Sequence, residues 1–270
     1  GQAEFVAIDQ QRFEDFWEDR RSYTRVVDLP TAVRERLITY GRQFEPERFV
    51  SRHYCRARKN RQRNGAVDRR LSLFPYQKKA VELWTANGGS LFFEMATGTG
   101  KTRTALACVN HLVKRHDRLI VIIACPEGTL ARQWQRHEVE PAGFAFDLSL
   151  IADGTNRSWR STLSTALHQL ATGYLRQLII YTTHATGASG DFIRILSNCP
   201  PGIPICFVGD EAHGLGAAQR KKALLERYQY RIGLSATPER WFDDLGTAVL
   251  RRYFGGKTFE FTISDALTTF

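Results

Sequence analysis

The sequence predicts an α/β fold, a parallel sheet covered by helices on both faces. Three observations point there. Apolar, β-branched runs recur that are continuous rather than alternating, as in strands buried on both sides; residues 119–124 (Leu-Ile-Val-Ile-Ile-Ala) are the clearest. Helical patterns lie among them at 102–114, 128–138, 158–171 and 217–227, the alternation that builds crossover units. One glycine-rich turn also sits between a short strand and a helix, at the carboxyl end of the strand where open α/β sheets place their sites.

Taken in order, residues 1–70 read as a mostly helical, basic appendage or linker. Phe13, Phe16 and Trp17 fall at the spacing of a helix's apolar face, and Pro30 and Gly41 bracket a second helical pattern over 31–40. Arg52, Arg56, Arg58, Lys59, Arg61, Arg63, Arg69 and Arg70 follow, with Asp68 the one acid among them. That stretch is either a solvated linker or a run of phosphate contacts. From residue 71 the strands begin: 91–93 (Leu-Phe-Phe), 119–124, 178–181 (Leu-Ile-Ile-Tyr), 205–208 (Ile-Cys-Phe-Val) and a weaker run at 230–234. The expected division is an appendage over 1–70, an α/β lobe over 71–253, and the start of a connection over 254–270.

Composition narrows the class. With 270 residues, 43% of them hydrophobic, the chain can bury a proper core, which excludes wholesale disorder. The longest apolar run falls far short of the ~20 residues of a membrane-spanning helix, and the start shows no basic-then-apolar signal segment. Cys55, Cys108, Cys125, Cys199 and Cys206 include no C-x-x-C pair, which argues against a disulfide framework or a zinc site and for a reducing, cytoplasmic setting. The net charge of +10 suits nucleic acid, though also an acidic protein partner.

Two segments carry chemistry. Met95-Ala96-Thr97-Gly98-Thr99-Gly100-Lys101-Thr102 joins a strand to a helix, the context a phosphate-binding loop requires. Glycines let successive N–H groups converge on an anion, and the helix start adds its positive dipole end. Lys101 is placed to reach the outer phosphates of a nucleotide and Thr102 to join a magnesium shell. Met95 stands where the strict G-x-x-x-x-G-K-T pattern has glycine. Downstream, the strand at 205–208 runs through Gly209 into Asp210-Glu211-Ala212-His213. An aspartate at a buried strand's end can hold the metal, and the adjacent glutamate can polarise an attacking water. Both segments belong on one sheet edge.

With Ser235-Ala236-Thr237-Pro238, these segments resemble motifs I, II and III of superfamily 2 helicases and translocases of the DEAH type. The resemblance covers roughly residues 71–255 and implies the first RecA-like lobe, a P-loop NTPase lobe that uses ATP and Mg2+. Leu73-Phe74-Pro75-Tyr76-Gln77 is similar to the adenine-side motif of the duplex-DNA translocating branch, which includes XPB-like helicases and the motor subunits of type I and type III restriction enzymes. The implied catalytic residues are Lys101, Asp210, Glu211 and His213. The implied nucleotide contacts are Gln77, with Phe74 stacking, and the loop from Thr97 through Gly98, Thr99, Gly100, Lys101 and Thr102 to Arg103. Thr102 and Asp210 would hold the metal. Cys125-Pro126 with Leu130 and Gln133-Trp134, and Tyr181-Thr182-Thr183-His184, look like the segments that touch the nucleic-acid backbone. Pro126, Thr129, Arg132, Thr182 and Thr183 are the candidates there, the polar ones serving either as phosphate contacts or as helix caps. Ser235, Ala236 and Thr237 would couple nucleotide state to the grip on DNA, with His213 as relay.

After Pro238 no glutamine-and-arginine motif of the kind that supplies the family's arginine finger follows. The expected partner is therefore a second RecA-like lobe, which residues 253–261 resemble the exit toward. Without it turnover should be slow, since such a finger is worth ~10³ to 10⁵ in rate. The expected activity is an ATP-dependent DNA helicase or translocase, on duplex rather than single-stranded DNA, in a restriction or phage-defence setting with room for a nuclease or defence-complex partner. An RNA helicase of the same superfamily and a nucleotide-gated binding module without turnover are the alternatives.

Overall fold

Residue parity along the strands divides the core in two. In a strand, neighbouring side chains point to opposite faces. On one face lie Phe93, Val121, Ile123, Ile179, Cys206, Val208 and Ile232; on the other lie Phe92, Ile120, Ile122, Ile180, Ile205 and Phe207. Both sets are buried, so each face needs its own layer of helices.

The computed structural model describes residues 71–236 and 244–269; the predicted features of residues 1–70, and Thr237, lie outside them. Pro75, whose missing N–H costs nothing at a first helical position, opens α1 (Pro75–Ala86). Then come β1 (Ser90–Met95) and α2 (Lys101–Arg115). β2 (Leu119–Cys125) leads to α3 (Gly128–Gln133), which runs on through a π-helical turn at Trp134–Val139 and a last turn at Glu140–Ala142. β3 (Leu148–Ala152) and α4 (Trp159–Thr172) precede β4 (Gln177–Thr183). Two short helices, α5 (His184–Gly187) and α6 (Gly190–Ser197), bring the chain to β5 (Ile205–Gly209). Two 3-10 turns, Ala212–Gly216 and Arg220–Ala223, lead into β6 (Tyr230–Ser235). α7 (Asp244–Tyr253), β7 (Thr258–Phe261) and α8 (Ile263–Thr269) follow.

The seven strands form one sheet in the order β3-β4-β2-β5-β6-β1-β7, and every pairing is parallel. This is the predicted class. α1, α2 and the π turn cover one face through Trp84, Leu106, Val109, Leu112 and Trp134. α4, α6 and α7 cover the other through Leu163, Leu167, Phe192, Leu196 and Leu250. No described helix is long and apolar enough to cross a membrane.

Four elements differ from the sequence reading. The helix predicted at 217–227 is only the short turn Arg220–Ala223. Tertiary anchors override propensity there: Tyr228 stacks flat on Phe207, with ring centroids 4.9 Å apart. The Arg231 guanidinium group also donates to the carbonyls of Tyr228, Glu226 and Tyr253 at 2.9, 3.1 and 3.1 Å. The helix predicted at 128–138 contains the π turn. Finally β3 and β7 are additional strands, and β7, from the segment set apart as a connection, pairs with β1 from Phe92↔Thr258 to Met95↔Phe261. Both are edge strands with one face only partly covered, and so lack the continuous apolar runs that marked the others.

Candidate functional site

The order β5-β6-β1 brings the carboxyl ends of three strands side by side, and each ends in a predicted site segment. Glu94 pairs with Ser235, and Gly209 with Gly233. Met95, at the first position of the loop, is the last residue of β1 and is wholly buried in the core. Among the described residues Glu211 is the only non-glycine with positive φ, so the backbone at Met95 has no need of glycine.

The loop itself is built from below. Gly98 and Gly100 take φ of +84° and +82°, the left-handed region open to glycine at no steric cost. A Cβ on Gly100 would run into the Gln77 amide, whereas one on Gly98 would meet open space. Gln77 is buried at N3 of α1; its Oε1 accepts from the Phe74 N–H at 3.0 Å, closing back onto the residue before the helix. Its Nε2 donates to the carbonyls of Thr99 and Gly100 at 3.2 and 3.3 Å. The Tyr76 hydroxyl adds a bond to the Thr99 carbonyl at 2.7 Å, and the Thr99 hydroxyl donates to Ala96 at 2.7 Å. Gln77, expected beside the adenine, thus holds the loop's backbone from beneath. Phe74 is exposed and stacks on Tyr76 with centroids 5.8 Å apart, leaving a ring surface at this end.

Thr97 and Gly98 are exposed, Thr102 is half-buried, and Arg103 is exposed on the first turn of α2. That helix starts from Gly100 with no side-chain cap, so the loop and the first N–H groups of α2 suit the phosphates of a nucleotide. Lys101 Nζ donates to the Met95 carbonyl at 3.0 Å. Burial pulls its pKa below the usual lysine value, while Glu211 and Asp210 pull it back up. The ammonium and the two carboxylates therefore share one site.

Asp210 is oriented at both carboxylate oxygens. Oδ2 accepts from Trp134 Nε1 at 2.8 Å and Oδ1 from the Glu211 N–H at 3.1 Å. Burial raises its pKa, opposed by those two bonds and by Lys101 and His213. Its own N–H reaches the Ala124 carbonyl at 2.8 Å, and its carbonyl meets His184 Nε2 at 2.9 Å. Glu211 has φ +46°, a conformation that stores strain for a side-chain-bearing residue. His213 Nδ1 lies 3.2 Å from Ser235 Oγ and 3.4 Å from Glu211 Oε2. Ser235 is buried and Ala236 half-buried at the same edge. Among the described residues no group of three or more His, Cys, Asp or Glu side chains gathers to hold a metal by itself. A Mg2+ at Asp210 and Thr102 would be shared with phosphate oxygens.

The nucleic-acid candidates separate. Thr129 is exposed and Pro126 half-buried, at the start of α3. Arg132 is already paired: it binds Asp153 Oδ2 at 2.8 Å, the Thr155 hydroxyl, and the Gly128 carbonyl at 2.9 Å. Thr182 is wholly buried and gives its hydroxyl to the Ala152 carbonyl at 2.8 Å, and Thr183 caps α5 by accepting from the Thr186 N–H at 3.1 Å. The helix-cap alternative therefore describes Thr183, and Thr182 faces the core. Sequence reasoning missed Trp134 and His184 as neighbours of the acidic pair, quoting both only within segments expected to face nucleic acid. The available signal was a lone tryptophan in a largely polar helical segment, since a buried indole N–H must find an acceptor.

This fold and this order of segments are those of the first RecA-like lobe of a superfamily 2 helicase or translocase. Residues 70–240 match the family described as "Type III restriction enzyme, res subunit", and the chain belongs to that family. No curated protein matches the chain. Among solved structures it is similar to the ATP-dependent Type ISP restriction-modification enzyme LlaBIII bound to DNA, with TM-score 0.56 and 18% identity over 73% of this chain. It is also similar to a nuclease-deletion mutant of the Type ISP enzyme LlaGI in complex with a DNA substrate mimic, with TM-score 0.57 and 17% identity over 73% of this chain. The chain spans 15% and 20% of those two proteins.

Proposed function

We propose that this chain is the ATP-binding lobe of a motor that uses ATP hydrolysis to move along or unwind duplex DNA. One observation carries the reading: β1, leading to Lys101, and β5, leading to Asp210 and Glu211, end at one sheet edge where an uncapped helix start and a glycine loop converge. Thr97 to Arg103 would cradle the phosphates, with Phe74 at the base. Thr102 and Asp210 would hold Mg2+, which when bound neutralises charge between the outer phosphates. Glu211 orients and deprotonates the attacking water, and a second lobe supplies the arginine. Ser235 and Ala236, with Thr237 after them, carry the state of the site toward DNA through His213. The net charge of +10 and the DNA-bound state of the similar structures support a DNA track. A restriction or defence setting in the cytoplasm, with a nuclease elsewhere in the assembly, belongs to the same reading.

The test is binding of a fluorescent, non-hydrolysable ATP analogue in the presence of Mg2+. Lys101→Ala should weaken it by roughly ten- to hundredfold, the worth of a charged hydrogen bond or more, with the melting temperature unchanged. Equal affinity in the variant would remove the nucleotide site. With a second lobe present, ATP turnover should respond to duplex DNA above single-stranded DNA or RNA; a larger response to RNA would change the track and keep the motor.

A further inference from the structure

The π-helical turn has a specific geometric result. Its two buried residues are Trp134 and Val139, five positions apart. In a regular α-helix they would point about 140° away from each other. A turn wound i to i+5 puts them on one face instead, and such turns are rare enough to invite a reason. Val139 packs in the core, and Trp134 reaches out of the same layer to Asp210. The indole N–H and the Glu211 N–H take one carboxylate oxygen each, which sets the plane of the carboxylate and leaves the remaining lone pairs in fixed directions.

We propose that Trp134 is a positioning residue for the Asp210 carboxylate, presenting it to a divalent cation carried on the nucleotide. This rests on the reading that a Mg2+-bound nucleotide occupies the site. It also gives the helix that begins at Gly128, at the rim expected to face nucleic acid, a direct hydrogen bond to the metal end. Trp134 acts through Asp210 and touches no phosphate; removing its donor should change how well the cation is held, not how the nucleotide is held without it.

The experiment compares the chain with Trp134→Phe, which keeps an aromatic ring and loses the donor. Binding of the ATP analogue is measured in EDTA and then against Mn2+ concentration. The Mn2+ midpoint should rise by about tenfold or more, the usual consequence of losing an outer-shell partner, with metal-free affinity unchanged. An unchanged midpoint overturns the proposal. The second readout is taken on the unaltered chain, with a variant used only to assign one resonance. With 15N in the indole rings, the five tryptophans give separate N–H resonances, and that of Trp134 is the one displaced by Asp210→Asn. Adding Mg2+ to the analogue-bound chain should move this resonance more than the other four, and an immobile one overturns the proposal. If the unaltered chain does not bind the analogue with or without metal, the nucleotide site itself falls; if it binds without any response to metal, the metal at Asp210 falls. If it responds to metal and Trp134→Phe matches it, only the role of Trp134 is lost.

Discussion

Glu211 is held in a left-handed conformation that costs a side-chain-bearing residue about 1–2 kcal/mol. Its neighbours hold it there: the Asp210 carbonyl is tied to His184, and the Glu211 carbonyl accepts from the Gly214 N–H at 3.0 Å. Strain of this kind is kept where position matters more than stability. Glu211→Gly should relieve it at an entropic cost of roughly 0.5–1 kcal/mol. The variant should therefore melt at the same temperature as the parent or slightly higher, while ATP turnover in the proposed two-lobe motor should stop. A clear drop in melting temperature would mean that contacts of the glutamate side chain hold the turn. At this scale the sequence is readable where spacing alone constrains a residue. Gly98 and Gly100 had to be glycines, and Met95 becomes intelligible only once the core beneath it is seen. The two hydrogen bonds from Gln77 to the loop, by contrast, depend on how α1 lies against α2, which no local pattern encodes.

Among elements, the buried strands were legible because continuous β-branched runs leave few alternatives, while edge strands were not. β7 matters beyond its four residues. Phe261 stacks on Tyr76 with centroids 3.9 Å apart, Tyr76 bonds the loop at Thr99, and Phe261 O accepts from the Ala96 N–H at 2.9 Å. The glycine loop is thus braced from α1 and β7 together. Phe261→Ala should cost about 3 kcal/mol, as for other buried aromatics truncated in a core, seen in chemical denaturation. It should also weaken binding of the ATP analogue although Phe261 touches no predicted ligand group. Unaltered affinity in a destabilised variant would separate the brace from the site. The lost helix at 217–227 teaches the converse: a helical pattern yields when one stacked tyrosine and one arginine supply stronger anchors.

For the molecule as a whole, acid should be a sensitive axis. Burial holds the His184 pKa down to about 4 against 6.5 for a free histidine. Between those values the unfolded chain binds a proton that the folded chain refuses, so stability is intact above pH 6.5 and declines as pH falls toward 4. The full loss from this group is roughly 3 kcal/mol. His184→Gln, which keeps a donor for the Asp210 carbonyl and cannot titrate, should flatten the decline in denaturation midpoints measured from pH 7 to 4.5; an identical slope would assign the acid sensitivity elsewhere. The class of fold could be read from the rhythm of strands and helices, but strand order could not, because nothing local says which strands are neighbours. That order has a consequence in time. β1 carries the glycine loop near the start of the lobe, yet its two neighbours, β6 and β7, are the last of the lobe's described strands to be made. During synthesis β1, an apolar segment, must stay unpaired until the ribosome has passed Ser235, and keeps one edge open until it has passed Phe261. The glycine-loop end of this lobe would therefore be among the last parts of the lobe to become ordered.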